Sequence, residues 1–228
     1  MTRPVVGILG AGKLGTTLAR LTVHAGYKTL IASRKPVAAL KWIIDTLAPG
    51  ADTVSASDLT QAADIVILAI PLSQIPTLDP AALAGKIVLD AANYWADVDG
   101  STNTYSSLTE GSSEVTQRLL AQSLVAKAFN HMGYHDLEIE VTRHAAEPSA
   151  MAFATDHDQI RPAVSELIVT LGFAPLDLGP LRFGLLLEPG SPLFGLAEPV
   201  PAFQAALANV YQSPFGRHVI AARGQRIQ

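Results

Sequence analysis

The stretch Val5-Val6-Gly7-Ile8-Leu9-Gly10-Ala11-Gly12-Lys13-Leu14-Gly15 decides how the rest of the chain is read. An apolar run suited to a buried strand meets a turn in which Gly10, Gly12 and Gly15 keep the G-x-G-x-x-G spacing. Gly10 permits the tight turn, Gly12 lets the backbone approach a pyrophosphate, and Gly15 lets the following helix pack against the strand. Unpaired N–H groups at that helix's start suit an anion.

Beyond the turn, Leu14, Leu18, Leu21 and Ala25 recur at helical steps and give one apolar face. Tyr27 to Ala32 then reads as a second strand. Strand, glycine turn, helix and strand together define a dinucleotide site. In such sites an acid about twenty residues past the glycines accepts from the ribose 2′-hydroxyl and repels a 2′-phosphate. Between Lys13 and Asp45 this chain has no Asp or Glu, and Ser33-Arg34-Lys35 closes the second strand instead. A hydroxyl and two cations suit a dianionic phosphate, so the expected nucleotide is NADP(H). A compatible local reading has Ser33 capping the next helix, with Pro36 in its first turn.

Composition narrows the class. The chain of 228 residues is 49% hydrophobic and 16% charged, with a mean hydropathy of +0.28, as buried parallel strands require. Its longest apolar run, Ile65 to Leu72, is far too short to cross a bilayer, and Lys13 interrupts the faint signal-peptide likeness at the front. A cytoplasmic protein with no membrane partner is expected. The absence of cysteine excludes disulfides, thiolate nucleophiles and cysteine-type zinc sites. A net charge of −4 argues against a nucleic-acid partner. The basic tail from Arg217 to Arg226 reads as a solvated or packing segment.

Further strands are expected at Asp52–Ser55, Asp64–Ile70, Lys86–Asp90 and Leu124–Phe129, and later at Ala150–Ala154 and Ala174–Leu178. Helices fit Ser113–Ala121, Asp158–Leu171 and about Ala202–Tyr211. The fold class is therefore α/β, a doubly wound, mostly parallel Rossmann sheet of about eight strands with a short C-terminal extension. Residues 1–180 form the nucleotide-binding domain with its sheet extension, and 181–228 a small addition of loop, helix and tail. That remainder is too short for the large helical substrate domain of hydroxyacid dehydrogenases or proline-forming imine reductases.

Ligands of open α/β sheets lie across the carboxyl ends of the strands. Those positions here are Gly10 to Leu14, Ser33 to Lys35, Ile70-Pro71-Leu72, Ala91 to Trp95, and Asn130-His131-Met132. Ile70, Pro71 and Leu72 form either an apolar shelf beside the cofactor or an ordinary strand exit, with Gln74 opening the next helix. Asn93 and Asn130 either bond the cofactor's carboxamide or ribose, or close turns. Tyr94 and Trp95 either wall a flat ring or simply pack, and Met132 joins them on the substrate side. His131 is the candidate proton donor or ring contact, with structural hydrogen bonding as its commoner fate. A metal held by His131 and His135 is not expected, because Gly133 weakens a shared helix and no third ligand is apparent. The polar loop 97–112 either covers the site or is a plain crossover.

Gly-Ala-Gly-Lys-Leu-Gly at 10–15, Ser33-Arg34, Asp90-Ala91-Ala92-Asn93, Val125 to Asn130 and Leu178-Gly179-Pro180-Leu181 occur in this order. In these segments, over roughly residues 3 to 185, the chain resembles the F-420-dependent NADP oxidoreductase family. The resemblance implies hydride transfer between NADPH and a deazaflavin, with no acid or base required of the protein. It also implies nucleotide contacts from Ala11 to Leu14, Ser33, Arg34, Ile70, Gln74 and Ala128. The chain departs from the family at Asn93-Tyr94-Trp95, at Asn130 to His135, and from Phe183 onward. A deazaflavin, a flavin or another small-molecule acceptor therefore stays open. A non-catalytic NADP(H) sensor and a small-carbonyl reductase using His131 are the alternatives, and Leu185-Leu186-Leu187 with Phe194 is a possible homodimer contact.

Overall fold

The computed structural model describes residues 3–143 and 147–227. Its centre is one eight-stranded sheet in the order β3-β2-β1-β4-β5-β6-β7-β8. The strands are β1 (Val6–Leu9), β2 (Thr29–Ala32), β3 (Asp52–Thr53), β4 (Ile65–Leu68), β5 (Ile87–Asp90), β6 (Leu124–Lys127), β7 (Ala150–Thr155) and β8 (Ala174–Asp177). Pairing is parallel from β3 through β6. β7 then runs antiparallel to β6, and β8 parallel to β7. The eight strands are those expected, each within a few residues of the sequence reading.

Register matters more for function than strand count. Leu9 lies beside Ala32 and Leu68, Leu68 beside Asp90, and Asp90 beside Lys127. The last residues of five parallel strands thus form one level row, and the segments leaving them share one edge of the sheet.

Alternation along each strand sends neighbouring side chains to opposite faces. Ile8, Ile31, Ile67 and Leu89 join a core on one side, and Leu9, Leu30, Leu68 and Val88 join a core on the other. Two covered faces explain why these strands read as unbroken apolar runs. Helices α1 (Lys13–His24), α2 (Val37–Leu47), α3 (Ala56–Ala62), α4 (Ala96–Asp99), α5 (Ser112–Leu119), α6 (Tyr134–Arg143) and α7 (Arg161–Thr170) connect the strands. Ser33 does not cap α2: Pro36 is its N-cap, while the Ser33 hydroxyl accepts the Lys35 N–H in a local turn.

The C-terminal segment carries more order than expected. A 3-10 helix at Leu181–Leu187, α8 (Val200–Asn209) and α9 (Pro214–Arg223) follow β8. Leu185, Leu186, Leu187, Phe203, Val210 and Val219 pack with Ala150 and Ala152 of β7 in a third core. The leucine run is therefore internal and offers no dimer contact. α9 lies in the tail read as solvated or packing. Among the described residues no helix is long and apolar enough to cross a membrane.

Candidate active site

Gly10 follows β1 with φ +115°, and a Cβ there would lie 2.1 Å from the Ala69 carbonyl oxygen. The turn needs glycine for both reasons. A Cβ on Gly15 would lie 2.0 Å from the Gly10 carbonyl oxygen, so the first turn of α1 sits directly on the strand exit. Gly12 differs, since a Cβ there would meet nothing within 4 Å. It is the N-cap of α1, with no side-chain cap and no acid in the first turn. An uncapped helix start facing open space is what a pyrophosphate requires.

That space is a cleft of about 850 Å³. The glycine turn bounds it on one side, Ser33, Arg34 and Lys35 at the end of β2 on another, and Ile70, Pro71 and Gln74 beyond β4 on a third. No carboxylate lines it. Arg34 Nη1 donates to Gln74 Oε1 at 3.2 Å. Gln74 lies within a 3-10 helix, Leu72–Thr77, rather than opening an α-helix. Leu72 is buried in the core and contributes no shelf, leaving Ile70 and Pro71 half-buried at the cleft. Ala128 is likewise fully buried, packed in the sheet's core away from any open surface.

On the other side of the shared edge, Phe129 has φ +60°, a left-handed conformation uncommon for a bulky residue. It ends β6 in a sharp turn that brings Asn130 beside Asn93. Asn93 Nδ2 donates to the Asn130 carbonyl at 2.8 Å, and Asn130 Nδ2 donates to Asn93 Oδ1 at 3.0 Å and the Leu187 carbonyl at 2.7 Å. Both acceptors are oxygens, which fixes the orientation of the Asn130 amide. Asn130 Oδ1 is buried without a partner among the described residues.

His131 points inward. It is fully buried, its Nε2 accepts the Ala152 N–H at 3.1 Å, and its ring meets Phe203 edge-on at 5.4 Å. Burial lowers its pKa to about 4, so it stays neutral, and an enclosed imidazole has no route for donating a proton into the cleft. The sequence expectation for His131 as donor or ring contact is corrected on that ground. Met132 is buried too and walls nothing. His131 precedes α6, so it shares no helix face with His135, and the described residues contain no group of three potential metal ligands.

Aromatic surface at this edge comes from other residues. Trp95, half exposed, meets Phe194 edge-on at 5.9 Å. Asp99 ties this corner to the nucleotide side by accepting the Trp95 N–H at 3.0 Å and the Ser73 N–H at 2.9 Å. Tyr94 donates its hydroxyl to the Gly100 carbonyl at 2.6 Å, so it braces loop 97–112. Lys13 Nζ lies 5.3 Å above the Tyr134 ring, linking the start of α1 to α6. Phe194, read from the sequence only as a possible dimer contact, lies far in sequence from the strand end that Trp95 follows.

Beneath the edge lies a buried ionic cluster that sequence reasoning also missed. Lys127 Nζ donates to the Ala92 carbonyl at 2.6 Å and Ser112 Oγ at 2.9 Å. Asp90 accepts the Ala92 N–H at 3.0 Å and the Ser113 and Thr116 hydroxyls at 2.8 Å each. Glu188 Oε1 accepts the Ser112 N–H at 2.7 Å and hydroxyl at 2.8 Å. Burial raises the Glu188 pKa, while Lys127 and the Ser112 donors pull it back. The cluster locks residues 91–93, the start of α5 and the 181–188 segment together. A lysine inside an apolar strand was the available signal.

This fold and cleft are those of a Rossmann dinucleotide-binding domain. Residues 5–94 match the family described as NADP oxidoreductase, coenzyme F420-dependent. Among solved structures, a hypothetical protein of Sinorhizobium meliloti is 29% identical, covering 87% of this chain and 96% of its own, with a TM-score of 0.74. A candidate F-420-dependent NADP reductase of Arthrobacter shares the fold at 21% identity, over 98% of this chain and 96% of its own, with a TM-score of 0.67. The metalloreductase STEAP3 of Rattus norvegicus is 25% identical over 180 residues, which is 78% of this chain. This chain spans about a third of that relative, 34% of its length.

Proposed function

We propose that the protein transfers a hydride between NADP(H) and a flavin-like or deazaflavin acceptor. One observation carries the reading: the cleft joins an uncapped helix start to Ser33, Arg34 and Lys35 with no carboxylate among its lining residues. Backbone N–H groups from Gly12 to Leu14 would hold the pyrophosphate, and Ser33, Arg34 and Lys35 the 2′-phosphate. When bound, NADPH supplies the hydride itself, so the protein's share is alignment and exclusion of water. Ile70 and Pro71 offer apolar contact for the nicotinamide end. Asn130 is itself enclosed, and its share is to hold the partly exposed Asn93 at the cleft edge. Trp95 and Phe194 are the aromatic surface against which a flat acceptor would rest.

The family description favours a deazaflavin. The name of the rat relative, a metalloreductase, brings a metal-ion acceptor into the same comparison. Purified protein is mixed with NADPH and, in turn, F-420, FMN, FAD and ferric citrate, and NADPH oxidation is followed by absorbance. Turnover with one of the three ring acceptors is expected. NADPH binding without oxidation by any of them would overturn the proposal and favour a nucleotide sensor. Turnover with ferric citrate alone would overturn the ring-acceptor part.

A further inference from the structure

Away from the nucleotide cleft, a cavity of about 460 Å³ lies between residue 109, the 3-10 helix at 181–187 and the end of α9. Three arginines line it, Arg182, Arg223 and Arg226, together with Thr109, and no carboxylate side chain does among the described residues. Three cations facing one space repel one another unless an anion is shared between them.

The available counter-charge is small and already engaged. Glu114 Oε2 accepts the Gly111 N–H at 2.7 Å and forms an ion pair with Arg223 Nη2 at 3.7 Å, longer than a hydrogen bond. Arg223 Nε donates to the Leu108 carbonyl at 2.8 Å, which fixes the guanidinium. Its Nη2 is buried without a hydrogen-bond partner among the described residues. Arg226 lies over the Tyr211 ring at 5.4 Å, a contact that leaves its N–H groups free to donate at the edge. Glu110, the other nearby acid, is taken by Arg118 at 3.1 Å.

We propose that this cavity is a second anion site, which takes the phosphoryl group of a small phosphate ester. Planar guanidinium forks match phosphoryl oxygens two at a time, and three arginines lining one cavity distinguish this space from an ordinary basic surface. The cavity exceeds what inorganic phosphate fills, so the ester's organic part would occupy the remainder. Both phosphate and a monoester share the recognised chemistry, and the measurement separates them.

Inorganic phosphate and glycerol 3-phosphate are titrated separately into nucleotide-free protein, with binding read by calorimetry and by the rise in melting temperature. Three proteins are compared: wild type, Arg182→Gln with Arg226→Gln, and Arg34→Ala. Both substituted arginines of the second protein are exposed, so its fold should survive, and an unchanged melting temperature without ligand would verify that. Saturable binding is expected in wild type and Arg34→Ala, tighter for the ester, and weakened roughly tenfold or more in the double variant. Binding that survives the double variant, binding lost in Arg34→Ala, or no saturable binding at all would overturn the proposal. Equal affinity for the two ligands would overturn the ester as occupant. These outcomes are independent of whether the cleft takes NADP(H).

Discussion

Gln74 Oε1 accepts a hydrogen bond from Arg34 Nη1 at 3.2 Å, spanning from the segment after β4 to the segment after β2. A surface arginine of many rotamers is thereby held at the cleft wall before any ligand arrives, which lowers the ordering cost of binding. Arg34→Ala should weaken NADPH by about 1.5–3 kcal/mol, the loss of a charge-assisted hydrogen bond, and NADH far less. Gln74→Met should show the same preference at about 1 kcal/mol or less. Dissociation constants from quenching of intrinsic fluorescence decide this. Equal losses for both nucleotides would show that Arg34 does not read the 2′-phosphate.

The two glycines flanking the start of α1 should separate binding from folding. Gly12 has φ −83° and ψ −170°, ordinary extended backbone, and its missing Cβ faces open space. Gly12→Val should leave the melting temperature nearly unchanged and weaken NADPH by roughly tenfold or more by filling the pyrophosphate's place. Gly15→Ala should instead destabilise by about 1–3 kcal/mol through the collision with the Gly10 carbonyl. Thermal melts and nucleotide titrations of both variants provide the comparison.

His131 predicts an acid limb in stability. Neutral in the folded protein down to about pH 4, it ionises near its ordinary 6.5 once unfolded. The unfolded chain therefore binds the extra proton across that interval, and stability falls as pH drops from 6.5 towards 4, by about 3 kcal/mol in full. His131→Gln, which keeps an acceptor for the Ala152 N–H, should flatten this limb in urea unfolding. It should leave NADPH turnover in place. Abolished turnover with intact NADPH binding would restore the imidazole as a participant.

Glu188 acts in the opposite direction. Burial raises its pKa, so above the ordinary carboxyl range the unfolded chain has released a proton that the folded protein tends to keep. Stability contributed by the neutral form is lost as pH climbs from that range through the raised value. Glu188→Gln retains an oxygen for the two Ser112 donors and cannot ionise. As pH climbs from the ordinary carboxyl range, its unfolding free energy should vary less than that of wild type. An unchanged slope in urea titrations would show that Lys127 keeps this carboxyl ionised.

The nucleotide half was legible because each signal is local. Gly10, Gly12 and Gly15, the absent acid and Ser33-Arg34-Lys35 all act within one β-α-β unit, where spacing fixes position. The acceptor side was less so. Trp95 meets Phe194 only after about a hundred residues of intervening chain fold, and Asp99 reaches Ser73 across 26 residues. His131 follows a strand like a site residue, yet the antiparallel turn of β7 lays Ala152 against it, and strand direction is not written in apolar periodicity. Gly133 was read as weakening a helix, whereas it stands just outside α6, where the Leu137 N–H bonds its carbonyl. Ser213-Pro214 and Gly224 were readable start and stop signals for α9. The Ser213 hydroxyl accepts the Gly216 N–H at 3.0 Å, and Gly224 closes the helix at φ +74°. Reading the tail by charge passed over them.

Both outer strands of the sheet are poor templates. β3 presents two residues, Asp52 and Thr53, and β8 holds Pro175, whose nitrogen has no hydrogen to give. A long, flat, unpaired margin invites another chain to zip onto it and seed a fibril, and this sheet offers none at either side. So apolar a sequence can therefore be concentrated without its most β-prone segments meeting edge to edge. Contact between copies is left to side chains elsewhere on the surface, such as Trp42 of α2, which stands 81% exposed.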